Sequence, residues 1–215
     1  MDRALSVVVV GAGLAGGNAA LELKRLEPNA HVTLVGAEAH LPYQRPPLSK
    51  GFLRGTEPFE DALVAPRSEY ERLGIDLMLG RRVVKLEPEN KRIHLEGDEV
   101  IPYDRVLIAT GGRKRRLTFP GAEREGVLDL RTVEDSKRIQ AAARAGRRVV
   151  VIGLGFIGCE VSASLRMLGL EVTAIDPAPA PLVRVLGPEV AGVIAELHRS
   201  RGIHLVLGDG VDRLE

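Results

Sequence analysis

The chain has 215 residues, a formal net charge of +1 and a hydrophobic fraction of 45%. This length allows one large or two small domains, and the near-zero charge gives no general reason to expect a nucleic-acid partner. No apolar run reaches membrane-spanning length and no signal peptide is visible, so we expect a cytoplasmic protein without membrane association.

The first predicted element is an apolar strand at 6–10 that leads into the glycine-rich segment GAGLAG at 11–16. A helix-prone stretch and a second strand at 32–35 follow. Glycines at this spacing permit a tight turn, close approach of a diphosphate and close packing of helix on strand. Gly36 stands where a ribose-binding acid would end the second strand, and the nearest acid is Glu38. We predict a dinucleotide site here, with Glu38 either its ribose acceptor or a solvated turn residue.

The next segment is a loop whose prolines at 42, 46 and 47 predict a rigid, non-helical chain until about Leu48, where a short helix could begin. A polar insertion at 57–65 and a short helix at 68–73 follow. Three predicted strands then form a small antiparallel excursion, and a further buried strand ends in a loop of small residues. These strands lie at 75–79, 82–86, 92–95 and 106–108.

A basic run, Arg113-Lys114-Arg115-Arg116, opens a polar connection. It is interpreted as a solvated loop or as a weak docking patch for an acidic partner. The connection extends to about residue 135 and is followed by a predicted helix at 135–145.

The clearest pattern in the chain is a second dinucleotide-binding pattern at 149–176. It consists of a strand, the segment GLGFIG at 153–158, a helix and a second strand that ends on Asp176. Asp176 lies 23 residues after the first glycine, where a carboxylate can accept hydrogen bonds from a ribose 2′-hydroxyl and repel a 2′-phosphate. The pattern therefore favours NADH over NADPH. A proline-rich loop at 177–181, a helix at 188–201 and a strand at 203–207 complete the prediction.

The single cysteine, Cys159, excludes an intrachain disulfide and is interpreted as a small packed thiol inside the second helix. The five histidines form no convincing metal-ligand or nucleophile–base pattern, so no metal site is predicted.

Four segments taken in order, GAGLAGGNAA, LPYQRPPLSK, YDRVLIATG and IGLGFIGCE, resemble the FAD-dependent ferredoxin reductases, which include the putidaredoxin- and rubredoxin-reductase-like proteins. The resemblance implies the α/β fold of glutathione-reductase-like FAD/NAD(P) proteins, truncated here: two Rossmann-like, three-layer lobes with parallel sheets and a small antiparallel β excursion. It divides the chain into an incomplete FAD-binding lobe at 1–116, a connection with a leading helix at 117–145 and an incomplete NADH-binding lobe at 146–215.

The resemblance also implies site residues. Lys50 and Glu160 would form a charged pair beside the flavin. The residues implied to contact FAD are Gly11, Gly13, Ala15, Gly16, Glu38, Arg45, Pro46, Lys50, Val83, Ala109, Thr110, Gly111 and Arg131. The residues implied to contact NADH are Gly153, Gly155, Phe156, Ile157, Gly158 and Asp176.

The implied activity is transfer of hydride from NADH to FAD, followed by electron transfer to a ferredoxin- or rubredoxin-type iron–sulfur partner. Two alternatives stay open: a flavin NADH oxidase, and a non-catalytic redox-sensing protein resembling apoptosis-inducing factor. The loop at 41–52 has no cysteine, which disfavours a disulfide or cysteine-based route. The resemblance covers essentially all of this chain but only the N-terminal half of a family member, so weak FAD retention and little turnover are expected of this chain alone.

Overall fold

The computed structural model describes residues 3–115 and 117–215, and these residues form ten strands and six α-helices. The strands are β1 (Ser6–Val10), β2 (His31–Gly36), β3 (Ile75–Leu79), β4 (Val83–Glu87), β5 (Arg92–Leu95), β6 (Val100–Pro102), β7 (Arg105–Ile108), β8 (Arg148–Ile152), β9 (Glu171–Asp176) and β10 (His204–Leu207). The helices are α1 (Leu14–Leu26), α2 (Gly51–Arg54), α3 (Arg67–Arg72), α4 (Val133–Ala145), α5 (Phe156–Met167) and α6 (Val183–Ser200). Two 3₁₀ turns lie at Pro46–Ser49 and Phe59–Ala62.

The chain divides into two compact units. The first contains residues 1–44 and 59–113, and the second contains residues 45–58 and 114–215. The segment 45–58 therefore belongs with the second unit, although it interrupts the first in sequence. The predicted boundary residue Arg116 lies outside the described residues. The assignment of 1–116, 117–145 and 146–215 to cofactor-binding lobes stays a prediction, because contacts alone define the units.

The first unit has three layers. Its parallel sheet has the strand order β3-β2-β1-β7, and alternate side chains of β1 point to opposite faces. Val7 and Val9 pack with α1 and with Tyr70 of α3 on one face. Val8 and Val10 pack on the other face against the antiparallel sheet β4-β5-β6. Burial on both faces explains why β1 is an uninterrupted apolar run.

The second unit is built on a parallel sheet of order β10-β9-β8. Its core contains Leu165 of α5, Val172 and Ala174 of β9, and Ile203, all 3% exposed or less. Leu53 of α2 is buried in the same cluster, which explains why residues 45–58 join this unit. The two parallel sheets and one antiparallel sheet confirm the predicted fold class.

Two sequence predictions about the elements are wrong. The strand at 75–79 pairs in parallel with β2 and so belongs to the main sheet, not to the antiparallel excursion. Pro46 and Pro47 lie inside a 3₁₀ turn rather than in a non-helical loop. Prolines fit this turn because they occupy its first positions, where φ near −65° is already helical and a missing N–H leaves no acceptor unsatisfied.

Two helix starts also differ from prediction. Helix α4 starts at Val133 rather than 135 because a capping box precedes it. The Thr132 side chain accepts from the Asp135 N–H, and the Asp135 side chain accepts from the Thr132 N–H. Helix α6 starts at Val183, but Gly187 interrupts it with φ +75°, so Pro188 still begins a regular helical segment as predicted. No helix among residues 3–115 and 117–215 is long and apolar enough to cross a bilayer.

Candidate cofactor-binding sites

The first glycine turn joins β1 to α1 in the first unit. Gly11 has φ +111°, and its N–H donates to the Val35 carbonyl at 2.7 Å. A Cβ on Gly11 would lie 2.3 Å from the Ala109 carbonyl oxygen, and one on Gly16 would lie 1.8 Å from the Gly11 carbonyl oxygen. Both positions therefore exclude any larger residue, and the turn is held tightly against the strand ends.

The helix that starts at this turn has an uncapped N-terminus. Gly13 is the N-cap residue of α1, no side chain accepts a cap hydrogen bond there, and the first turn has no acidic residue. A Cβ added to Gly13 would meet nothing within 4 Å, so open space lies beside the cap, and Ala15 in the first turn is exposed. Free N–H groups and the positive end of the helix dipole suit a diphosphate.

The ribose acceptor predicted for this turn is Glu38. Its Oε2 accepts a hydrogen bond from the Tyr43 hydroxyl at 2.5 Å, and the carboxylate is half-buried. An acid at position 36 has no room, because a Cβ on Gly36 would lie 2.4 Å from the Ala12 Cβ. The displacement of the acid to Glu38 thus has a steric cause.

The other predicted residues of the first unit lie on neighbouring strand ends. Ala109 donates its N–H to the Val10 carbonyl at 2.7 Å, so Ala109 and Thr110 lie beside the glycine turn. Gly111 follows with φ +69°. Val83 is half-buried at the start of β4 and packs against the core on the antiparallel-sheet side.

The second glycine turn, in the second unit, repeats the backbone geometry of the first. Gly153 has φ +93°, and its N–H donates to the Ile175 carbonyl at 2.8 Å. A Cβ on Gly158 would lie 1.8 Å from the Gly153 carbonyl oxygen. Gly155 caps α5 without a side-chain hydrogen bond and has nothing within 4 Å of an added Cβ. This turn also fits a diphosphate.

Asp176 is fixed directly to the second turn. Its Oδ2 accepts from the Leu154 N–H at 2.5 Å, and its Oδ1 accepts from the Ala178 N–H at 2.8 Å. Two backbone donors therefore hold the carboxylate at the end of β9, while each oxygen keeps a further lone pair for a ribose hydroxyl.

Lys50 and Glu160 are brought together in the second unit, with Nζ 2.6 Å from Oε2. Their side chains are 44% and 31% exposed, so the pair lies at a surface that a ligand can reach. They line a cavity of about 230 Å³ with Pro46 and with Phe156 and Ile157 of α5, which are 54% and 53% exposed.

Ser49 is the polar residue of this cavity that sequence reasoning missed. Its Oγ lies 2.6 Å from Glu160 Oε2, the same oxygen that contacts Lys50, and 3.1 Å from the Pro46 carbonyl. Ser49 is 3% exposed. The only sequence signal is its position beside Lys50, since nothing in the pattern links positions 49 and 160.

Two further predicted residues, Arg45 and Arg131, also meet in this cavity. The Arg45 guanidinium donates to the Arg131 carbonyl. The Arg131 N–H in turn donates to Asp135 Oδ2 at 3.0 Å, so the capping box of α4 fixes this part of the cavity wall.

Cys159 is buried and free, and its thiol lies 3.5 Å from the Leu154 carbonyl. Burial, helped by the nearby Asp176 and Glu160 carboxylates, raises the pKa of the thiol to about 11. A thiol that stays protonated is a poor nucleophile, so the geometry agrees with a packing role. Within the described ranges, no cluster of three or more His, Cys, Asp or Glu side chains could hold a metal ion.

Comparison with known proteins decides the family. The pyridine nucleotide-disulphide oxidoreductase family matches residues 5–215. The chain belongs to this family. Rhodocoxin reductase from Rhodococcus erythropolis is 37% identical over 207 residues, which is 96% of this chain and 48% of that relative. The anthranilate 1,2-dioxygenase system ferredoxin–NAD(+) reductase component from Burkholderia cepacia is 43% identical over 199 residues, covering 91% of this chain and 48% of that protein.

A solved structure gives the same assignment. The ferredoxin reductase for the CYP199A2 system from Rhodopseudomonas palustris superimposes with a TM-score of 0.93 at 34% identity, covering 98% of this chain and 52% of that structure. This member of the oxidoreductase family spans about half the length of the curated relatives that it matches.

Proposed function

We propose that this chain supplies nucleotide-binding parts of an NADH-dependent, FAD-containing reductase that passes electrons to a ferredoxin- or rubredoxin-type iron–sulfur protein. The observation that carries the proposal is the pair of uncapped helix N-termini, each beside a glycine turn with open space. The reductase relatives named above, one of them a ferredoxin–NAD(+) reductase component, support it.

In the first unit, we assign the turn of Gly11, Gly13 and Gly16, with Ala15, to the diphosphate of FAD and Glu38 to its ribose. Ala109, Thr110 and Gly111 form the adjoining wall, because they lie at the strand end beside the turn. Val83 is assigned to the adenine side. The Tyr43 hydroxyl holds the Glu38 carboxylate in place for this role.

In the second unit, we assign Gly153, Gly155 and Gly158 to the diphosphate of NADH and Asp176 to its ribose. A carboxylate held by two backbone N–H groups cannot move aside for a 2′-phosphate, so NADPH binds more weakly. Phe156 and Ile157 offer exposed apolar surface in the first turn of α5, which suits contact with the cofactor.

The Lys50–Glu160 pair, with Arg45, Pro46 and Arg131, is assigned to the flavin ring. Bound FAD would accept two electrons as hydride and release them singly to the partner. The chain's own part is electrostatic: the Lys50 ammonium favours added negative charge on the ring, and Glu160 keeps that ammonium in position. No side-chain nucleophile or general base is required.

The proposal places the protein in the cytoplasm. A buried, free single thiol fits a reducing compartment, and NADH is a cytoplasmic reductant.

Rapid mixing with NADH in the absence of oxygen tests the proposal. The chain, saturated with added FAD, is mixed with NADH or NADPH while flavin absorbance is followed, and an iron–sulfur protein is then added. We expect NADH to bleach the flavin faster than NADPH, and the iron–sulfur protein to reoxidise it faster than oxygen does. Faster oxygen consumption would instead indicate an NADH oxidase, and absence of any bleaching would contradict the proposal.

A further inference from the structure

A second cavity in the second unit, of about 310 Å³, lies where several elements end. Arg54 ends α2, Arg144 lies in the last turn of α4, and Arg147 precedes β8. Leu53 and Leu170, which are 1% and 6% exposed, form an apolar wall. The cavity is therefore lined by three arginines together with buried aliphatic surface.

The charge of this cavity is not balanced by the protein. No Asp or Glu lines it, and none of the three arginines forms an ion pair within the part of the chain that the structure describes. Arg54 Nη1 has only a long contact, 3.4 Å, with the Ser164 hydroxyl. Three positive charges thus surround a space that could hold a ligand.

The negative ends of neighbouring helices balance only part of this positive charge. Helices α4 and α5 end beside the cavity, and each C-terminus carries a partial charge of about −0.5, so about two positive charges are left uncompensated. The end of α5 also has its own donors, because the Leu168 N–H bonds the Ser164 carbonyl at 3.1 Å and the Gly169 N–H bonds the Arg166 carbonyl at 3.0 Å. Capping therefore does not explain all three arginines.

The cavity is separate from the glycine turn of the same unit. Arg147 precedes the five residues of β8 and Gly153 follows them, so at about 3.3 Å per residue the two lie about 20 Å apart at opposite ends of the strand. Ligands of parallel α/β sheets bind beyond the carboxyl ends of the strands, and this cavity lies at the amino end.

We propose that this arginine cavity binds an organic phosphate, a phosphate monoester with an apolar body, at a site distinct from the dinucleotide turns. Guanidinium groups bind phosphate oxygens in a two-pronged geometry, and a dianion matches the uncompensated charge. Leu53 and Leu170 cover the apolar part of the ligand. This site does not depend on the redox function proposed above.

The test uses phenyl phosphate as the probe and the whole chain at about 0.15 M ionic strength, where exposed charges are substantially screened. Backbone amide resonances report the location. We expect saturable shifts at Gly55, Gly146 and Gly169, which line the cavity, and not at Gly13 or Gly155. Shifts centred on Gly13 or Gly155 would show that the probe binds a dinucleotide turn instead, and would overturn the proposal.

Two double variants separate a specific site from general attraction. Arg144→Gln with Arg147→Gln removes two cavity charges, and Arg184→Gln with Arg199→Gln removes two exposed charges elsewhere in the same unit. We expect the first to weaken phenyl phosphate binding at least about tenfold, as loss of charge-assisted hydrogen bonds requires, and the second to leave it unchanged. Unfolding temperatures check that both variants fold. Equal weakening by both, or no saturation with the unmodified chain, would contradict the site.

Discussion

The two glycine turns share backbone geometry but differ in how they hold the acid that follows. In the second unit, Asp176 ends β9 and bonds the Leu154 N–H of the turn itself. In the first unit, Gly36 takes that place because Ala12 leaves no room for a Cβ, and Glu38 is held by Tyr43 instead. The glycines thus fix the same kind of backbone turn in both units, whereas the position of the acid that follows depends on local packing.

A second contrast separates these turns from α4. Thr132 and Asp135 satisfy the first N–H groups of α4 through a capping box, whereas α1 and α5 have glycine at the N-cap and no side-chain acceptor. Helices α3 and α6 also lack a side-chain cap, but neither starts at a glycine turn. A helix that leaves these donors open has them available for a ligand.

The largest expected effect comes from filling the tightest glycine positions. Gly16→Ala and Gly158→Ala each place a Cβ 1.8 Å from a backbone oxygen, and we expect each to lower the free energy of unfolding by about 3 kcal/mol. Gly13→Ala and Gly155→Ala are the matched controls, because open space surrounds an added Cβ there. These should cost no more than about 1 kcal/mol, the loss expected of a poorer N-cap residue. Denaturant unfolding measures these free energies, and equal losses for both pairs would contradict the difference between tight and open glycine positions.

Removal of the Ser49 hydroxyl tests the cavity beside the second turn. In Ser49→Ala, Glu160 loses one of its two anchors and holds Lys50 less firmly, so we expect flavin reduction by NADH to slow about tenfold with little change in KM. In the cofactor-free chain, acylation of the Lys50 amine should become faster.

Ser136→Ala is the control for this prediction. Ser136 is also buried and bonds the Leu48 carbonyl at 2.8 Å, but it does not contact Glu160. If Ser136→Ala changed Lys50 acylation as much as Ser49→Ala does, Ser49 would be a structural residue only.

Asp176→Asn tests whether the Asp176 carboxylate sets the preference for NADH over NADPH. Asparagine can still accept from the Leu154 N–H, but its amide nitrogen cannot accept from the Ala178 N–H and it carries no charge, so we expect the preference for NADH over NADPH to fall about tenfold. Binding constants for both cofactors measure this ratio. An unchanged preference would show that Asp176 serves only to brace the glycine turn.

The smallest effect concerns the capped helix. Burial would raise the pKa of Asp135, but the Thr132 N–H and the Arg138 guanidinium outweigh it, and the pKa lies below its ordinary value of 3.8. A depressed folded-state pKa gives stability that is complete above the unfolded pKa and is lost as pH falls through the folded value. Asp135→Asn should therefore lower the free energy of unfolding by about 1 kcal/mol near neutral pH and by progressively less below about pH 4. Denaturant unfolding at several pH values measures this loss, and a loss that stays constant down to pH 2 would contradict a stabilising role for the Asp135 carboxylate.

The elements that follow local rules could be predicted from the sequence. The two glycine turns, their strands and the position of Asp176 depend on residues close together in the chain, and their spacing predicts them. The partner of β3 and the placement of 45–58 in the second unit depend on distant contacts, such as burial of Leu53 beside α5. The bond between Ser49 and Glu160 joins residues 111 positions apart, which no local pattern shows.

The most direct test of the account is to titrate FAD and NADH separately into the chain and into its Gly13→Ala and Gly155→Ala variants. We predict that Gly13→Ala weakens FAD binding and leaves NADH binding unchanged, and that Gly155→Ala does the reverse. If each variant weakened both cofactors equally, or if neither cofactor bound the unmodified chain, the assignment of one cofactor to each glycine turn would be wrong.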